Sequence, residues 1–334
     1  MPIGQLAQVL RGVSGEKDGR LLVGPETFDD AGVVELAGVE GLPAGTDLAL
    51  VQTVDYFPPV VDDPWFYGAI AAANSVSDVY AMGGRPYTAL NLAGIPKDFA
   101  PEWTSEIFRG GFETMRKAGA LVVGGHTVQS AEAMFGFAVT GFVDRRKVTT
   151  NAGARPGDVL YLTKKLGMGA LTTAAKAQKI SWKELEPAAV QMAALNDTAA
   201  LAMNAVGARA CTDITGFGLV GHARNIAKGS RLTLRIELAR TPIFDGALAL
   251  ARAGTLSGGA RRGRAALGDV VAIRAGLEEA LVNLVFDAET SGGLMIAVSP
   301  AKAAALEKEL AARDLIVARI GECVPDTGKL VELI

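Results

Sequence analysis

The sequence predicts a layered α/β or α+β architecture in two domains, on three observations. Apolar strand-like runs alternate with stretches of helical periodicity through both halves of the chain. Turn formers cluster near the middle, in Asn151-Ala152-Gly153-Ala154-Arg155-Pro156-Gly157-Asp158, directly after the basic run Arg145-Arg146-Lys147. The length, 334 residues, is about that of two typical domains. A boundary is therefore placed near residue 150, giving an N-terminal domain over 1–150 and a C-terminal domain over 151–334.

Each element rests on a local pattern. Residues 47–54 (DLALVQTV) read as a strand entered through the loop at Gly41-Leu42-Pro43-Ala44-Gly45. Residues 66–82 are small and alanine-rich and read as a helix, and 87–95 as a second strand. Trp103, Ile107, Phe108, Phe112 and Met115 recur at helical spacing, so 102–118 is an amphipathic helix. Ala120 to Val123 is a short strand ending in Gly124-Gly125, and Met134 to Val143 is another apolar strand. In the second half, strands at 158–163, 208–212, 232–237 and 315–320 alternate with helices at 168–179, 187–206, 217–228 and 301–312.

Composition excludes several classes. A net charge of −3 is too balanced for a protein that holds nucleic acid by bulk phosphate attraction. At 49% hydrophobic residues the chain is too apolar to be disordered. No apolar run approaches the roughly 18 residues of a membrane span. Met1 to Leu6 lacks the basic-then-apolar pattern of a leader, so a cytoplasmic protein is expected. Its two cysteines, Cys211 and Cys323, form neither a disulfide framework nor a four-ligand zinc site, and read as buried structural thiols. Chemistry is left to carboxylates, lysines, glycine-rich backbone and a bound cation.

Four groups of acids stand out: Asp29-Asp30 within Glu26-Thr27-Phe28-Asp29-Asp30-Ala31-Gly32, Asp55 after the strand LALVQTV, Asp78 in an apolar helix, and Asp213 in Cys211-Thr212-Asp213-Ile214-Thr215-Gly216-Phe217-Gly218. Each alone reads equally as a turn former or cap. A carboxylate at a strand mouth or in an apolar helix needs a cation, an arginine or backbone donors. Several converging would suit Mg²⁺, which takes oxygen ligands and shares its shell with phosphates. Two glycine loops, Gly124-Gly125-His126-Thr127 and Thr290-Ser291-Gly292-Gly293-Leu294, read either as phosphate contacts or as tight turns. His126 and His222 read as ordinary loop and helix-face histidines, and Lys17 and Lys164 as solvated side chains. There is no Walker A loop. Gly216-Phe217-Gly218-Leu219-Val220-Gly221 matches a dinucleotide fingerprint, with Glu237 ending the next strand. Against it, Asp213 would set an anion where pyrophosphate sits, and too little chain remains after it for a doubly wound sheet.

Over essentially residues 2–334 these segments resemble the selenophosphate synthetases (selenide, water dikinases). The most specific are Gln52-Thr53-Val54-Asp55-Tyr56-Phe57 with Val60-Val61-Asp62-Asp63-Pro64, and Ala71-Ala72-Ala73-Asn74-Ser75-Val76-Ser77-Asp78-Val79-Tyr80-Ala81-Met82-Gly83-Gly84. The resemblance implies the two-domain α+β fold of the aminoimidazole ribonucleotide synthetase-like ATP-binding superfamily. It also implies a homodimer pairing its N-terminal sheets, and a reaction in which ATP, selenide and water give selenophosphate, AMP and phosphate. It implies Asp30, Asp78 and Asp213 as Mg²⁺ ligands. Thr27, Phe28, Asp29, Asp55 and Asp78 would contact ATP. Gly125, His126 and Thr127 would reach ATP within one subunit or across to its partner. The alternatives are a kinase or ligase of the same superfamily with another acceptor, such as thiamine monophosphate, and a catalytically impaired ATP-binding homologue.

Members of the family carry a Cys or selenocysteine, two residues and a Lys ahead of their first Pro, and Met1-Pro2-Ile3 resembles the residues just after that Lys. Nucleophile and lysine are therefore expected upstream of Met1, behind an in-frame TGA codon or an ordinary misplaced start; the third reading is a paralogue that binds ATP without making selenophosphate. A chain beginning at Met1 is expected to bind Mg²⁺–ATP and to make little selenophosphate.

Overall fold

A computed structural model describes residues 18–24, 29–43 and 45–334. The first half builds one sheet from β1 (Leu21–Val23), β2 (Gly32–Glu35), β3 (Leu48–Phe57), β4 (Arg85–Ile95), β5 (Leu121–Gln129) and β6 (Met134–Asp144). Their order is β1-β2-β3-β6-β4-β5, antiparallel except where β4 runs beside β5. Two helices, α1 (Pro64–Ala81) and α2 (Pro101–Lys117), connect these strands. Asp63 caps α1 by accepting the Phe66 N–H at 2.8 Å, Pro64 starts it, and Gly83, at φ +79°, ends it. A Cβ at Gly68 would lie 1.9 Å from the Ile107 carbonyl oxygen, and one at Gly110 2.0 Å from that of Trp65. The two helices therefore touch backbone to backbone, and no side chain fits at either crossing.

Alternation along β3 turns Ala49, Val51, Thr53, Asp55 and Phe57 inward and Leu48, Val54 and Tyr56 outward. The outward face is bare: Val54 is 56% exposed, Leu90 47% and Leu121 66%.

The second half continues with β7 (Val159–Leu162), α3 (Met168–Lys176), α4 (Trp182–Ala193), α5 (Asp197–Val206), β8 (Ala210–Asp213), α6 (Gly218–Ser230) and β9 (Thr233–Ile236). After these come α7 (Ala247–Arg252), α8 (Gly258–Leu267), β10 (Val271–Ile273), α9 (Glu279–Val285), β11 (Leu294–Val298), α10 (Pro300–Ala311), β12 (Ala318–Val324) and β13 (Val331–Leu333). The second sheet runs β10-β13-β9-β12-β7-β11-β8 and is mixed. Helix α1 is buried at every residue from Tyr67 to Ala81, because the sheet of the first half covers one side and elements of the second cover the other.

Two sequence expectations change, and the motif already argued against gains a structural reason. The helix expected over 187–206 is two helices, interrupted at 194–196, where Asn196 turns inward to other segments. The short strand at 120–123 and the glycine loop after it are one continuous strand, β5. The dinucleotide fingerprint fails on topology, since β11, β7 and β12 separate β8 from β9, whereas that motif requires neighbouring parallel strands.

A carboxylate cluster as candidate active site

The inward face of β3, the buried face of α1, the residues before β2 and the end of β8 meet in one place. They bring Asp30, Asp55, Asp78 and Asp213 together, four acids far apart in sequence. Asp78 and Asp213 are buried residues. Asp30 is partly exposed, yet its Oδ2 is buried without a hydrogen-bond partner, as is Oδ2 of Asp213.

Neutral donors hold three of the other oxygens. Thr212 Oγ1 donates to Asp30 Oδ1 at 2.7 Å. Asn74 Nδ2 donates to Asp55 Oδ2 at 2.8 Å. Thr53 Oγ1 donates to Asp78 Oδ2. Asp29, whose charge also acts on Asp30, accepts the Asn151 N–H at 2.6 Å. Thr27 and Phe28 lie outside the described residues.

Electrostatics fit a cation. Burial pushes the Asp55 carboxyl up to about 7, and the charge of Asp213 adds to the rise. Burial raises Asp213 to about 6, with the Ser77 hydroxyl and then Lys164 opposing it. Asp30 and Asp78 are driven well above the usual carboxylate range, first by burial and then by their acidic neighbours. Four desolvated carboxylates repel one another unless protons or a cation neutralise them. The clustered carboxylates are oxygen donors, two with a free buried oxygen, which suits a hard divalent ion such as Mg²⁺. One atom each of Asp30, Asp213 and His222 lies within 4.8 Å of the others.

The Thr290–Gly293 loop borders the site as a brace. Ser291 N–H donates to Asn74 Oδ1, Gly292 N–H to the Ile214 carbonyl and Leu294 N–H to Thr163 Oγ1, so those three donors are engaged. A Cβ at Gly292 would lie 2.2 Å from the Ile214 carbonyl oxygen, and one at Gly293 2.4 Å from Lys164 N. Close packing accounts for both glycines. Asn196 Nδ2 bridges Ser77 Oγ at 2.9 Å and the Gly292 carbonyl at 2.8 Å, tying the loop to α1.

Lys164 is buried, not solvated. Its Nζ donates to the Ala194 carbonyl at 2.7 Å and the Ser291 carbonyl at 2.9 Å, and burial pushes its ammonium down to about 7. The available sequence signal was position, at the end of the wholly apolar strand Val159–Leu162. His222 is likewise buried, in contact with Thr212 and Thr215. Both cysteines are buried and free. Lys17 lies outside the described residues.

Gly125, His126 and Thr127 stand exposed on the edge strand β5. Asp55, Phe137, Asn91 and Gly125 form one row across β3, β6, β4 and β5. Three strand spacings put Gly125 about 14 Å from Asp55, too far to share one phosphate within a chain.

The chain matches the AIR synthase related protein models, the N-terminal domain over residues 28–143 and the C-terminal domain over 155–333. It is 44% identical to the selenide, water dikinase of Geobacter metallireducens, over 96% of this chain and 91% of that protein. Among solved structures, thiamine monophosphate kinase from Aquifex aeolicus superposes with a TM-score of 0.68 at 20% identity, over 99% of this chain and 96% of that one. A hydrogenase maturation protein HypE in complex with ATP does so with a TM-score of 0.64 at 21% identity, over 96% of this chain and 85% of that one. These two likenesses show a shared fold, the two family models place the chain among the AIR synthase related proteins with their N- and C-terminal domains, and the chain itself belongs to the selenide, water dikinase family.

Proposed function

We propose that this protein uses ATP to convert selenide and water into selenophosphate, with release of AMP and phosphate. The observation that carries the reading is a carboxylate cluster, with two orphaned oxygens, in a chain 44% identical to a selenide, water dikinase along nearly its whole length. Asp30, Asp78 and Asp213 hold Mg²⁺ in this reading, while Asp29 and Asp55, with Thr27 and Phe28, contact ATP. Bound Mg²⁺ supplies the positive charge that lets a carboxylate site accept polyphosphate. The protein's own part is positioning. Asn74 orients Asp55, Thr53 orients Asp78 and Thr212 orients Asp30, so the site is arranged before nucleotide arrives. In ³¹P NMR, the protein produced from its own gene is expected to give AMP, phosphate and a new selenophosphate resonance, dependent on selenide. ADP formation independent of selenide would instead indicate a kinase with another acceptor.

Residues 1–150 form the ATP- and Mg²⁺-binding and dimerising domain in this proposal, and 151–334 the C-terminal α/β domain. The bare outer face of the first sheet suits a second copy of the chain. Val54, Tyr56, Leu90 and Leu121 form an exposed apolar surface there, of the kind that marks an interface. Pairing through that face accounts for the distance of Gly125–Thr127 from the cluster, because these residues would then serve the partner's nucleotide. Leu90→Glu is expected to convert a dimer to a monomer in light scattering, with the fold intact by circular dichroism. A Leu90→Glu protein that remained dimeric would count against this face. The free cysteines fit a reducing compartment and hence the cytoplasm. Among the described residues no helix is long and apolar enough to cross a membrane.

A further inference from the structure

Behind Asp30 runs a short chain of hydrogen bonds. The backbone N–H of Thr215 donates to His222 Nε2 at 3.2 Å. A backbone N–H only donates, so Nε2 presents its lone pair and the ring proton sits on Nδ1. Nδ1 lies 3.3 Å from Thr212 Oγ1, and Thr212 Oγ1 lies 2.7 Å from Asp30 Oδ1. A threonine hydroxyl has one proton and two lone pairs. When it accepts from Nδ1–H, its own proton is left for the Asp30 carboxylate at 2.7 Å, a nearer and charge-bearing acceptor than the Asp213 carbonyl at 3.1 Å. In the opposite tautomer the hydroxyl would turn its proton to the ring, and Asp30 would face a lone pair.

We infer that His222 is a positioning residue: through Thr212 it fixes the Asp30 carboxylate so that Oδ2, buried and without a partner, is left for the cation. This deepens the metal site proposed above and rests on it. The proximity of His222 to Asp30 and Asp213 also invites a reading as third ligand, which its contacts oppose. The Nε2 lone pair faces both the N–H and the hydroxyl of Thr215, each at 3.2 Å, and Nδ1 faces Thr212. Metal ligands commonly depend on such outer partners for orientation. His222 also ties the end of β8 and the following turn to α6, so one imidazole fixes the whole arch that carries Asp213.

Two measurements on the full chain test this. With only two histidines, and His126 exposed as an internal comparison, ¹⁵N imidazole spectra resolve the tautomer directly. His222 is expected to carry its proton on Nδ1 at neutral pH; a proton on Nε2, or on both nitrogens, overturns the inference. The second measurement is Mn²⁺ uptake, read by electron paramagnetic resonance with a non-hydrolysable ATP analogue present. His222→Ala is expected to weaken uptake about tenfold, the scale of a lost outer partner, and His222→Asn, which keeps an amide donor near Nδ1, to recover most of it. Thr212→Val should weaken uptake as well, and the double variant His222→Ala, Thr212→Val should be no weaker than Thr212→Val alone. Unchanged affinity in His222→Ala, or losses that multiply in the double variant, defeats the relay. Failure of the unaltered chain to take up Mn²⁺ would refute the metal site, while the tautomer spectrum still decides how the histidine is arranged.

Discussion

Asp78→Asn is expected to weaken Mg²⁺-dependent ATP binding by at least about 100-fold while raising the melting temperature of the metal-free protein. The two effects share a cause. Asp78 sits in the buried helix α1 and is destabilised first by burial and then by the charges of Asp55, Asp213 and Asp30. An amide keeps the shape and the contact with Thr53 but removes one member of a like-charged group. The empty fold then gains stability by losing repulsion, and the loaded site loses a ligand. A residue that merely holds the fold would do the opposite and lower the melting temperature. Titration calorimetry with Mg²⁺–ATP, paired with thermal melts in EDTA, separates the cases. Unchanged affinity would remove Asp78 from the site.

The metal-free protein is expected to lose stability as pH rises from about 4 to about 7, and Mg²⁺ should abolish most of that slope. Asp55, ordinarily near 3.8, titrates at about 7 in the fold, and Asp213 at about 6. For a group raised in the folded state, the native protein holds the proton that the unfolded chain has already released. Its stabilising contribution is complete below the unfolded value and is lost as pH climbs through the folded one. A shift of the Asp55 size corresponds to roughly 4 kcal/mol, shared among groups that titrate together. Mg²⁺ replaces the protons, so its binding near pH 6 should also release them into the buffer. Denaturant melts across this range, in EDTA and in Mg²⁺, provide the check. Asp55→Asn should flatten the EDTA profile; a profile that rises with pH in EDTA would contradict the cluster's electrostatics.

The acids of the cluster were legible because an ionisable residue in an apolar helix or at a strand end is conspicuous in one dimension. Asp78 between Val76 and Val79 is the clearest instance. What stayed hidden depends on groups that meet only through the fold. Lys164 followed by Lys165 looks like a solvated pair. Its burial depends on carbonyls 30 and 127 residues away. His222 shows helix-face spacing, and its partnership with Thr212 needs the turn at Thr215–Gly218 to fold back. The break at 194–196 was masked by continuous helical periodicity, since the reason for stopping there is the remote pair Ser77 and Gly292. Gly124–Thr127 looked like a loop because glycines usually break strands, whereas at a sheet edge their backbone pairs with β4 unhindered.

The seating of α1 between the two sheets makes the division of the chain a seam instead of a hinge. Three of the clustered acids come from one side of it and Asp213 from the other, and Asn196 fastens Ser77 on α1 to the Gly292 carbonyl across it. Neither half therefore possesses the carboxylate cluster by itself; the cluster comes into being when the halves dock.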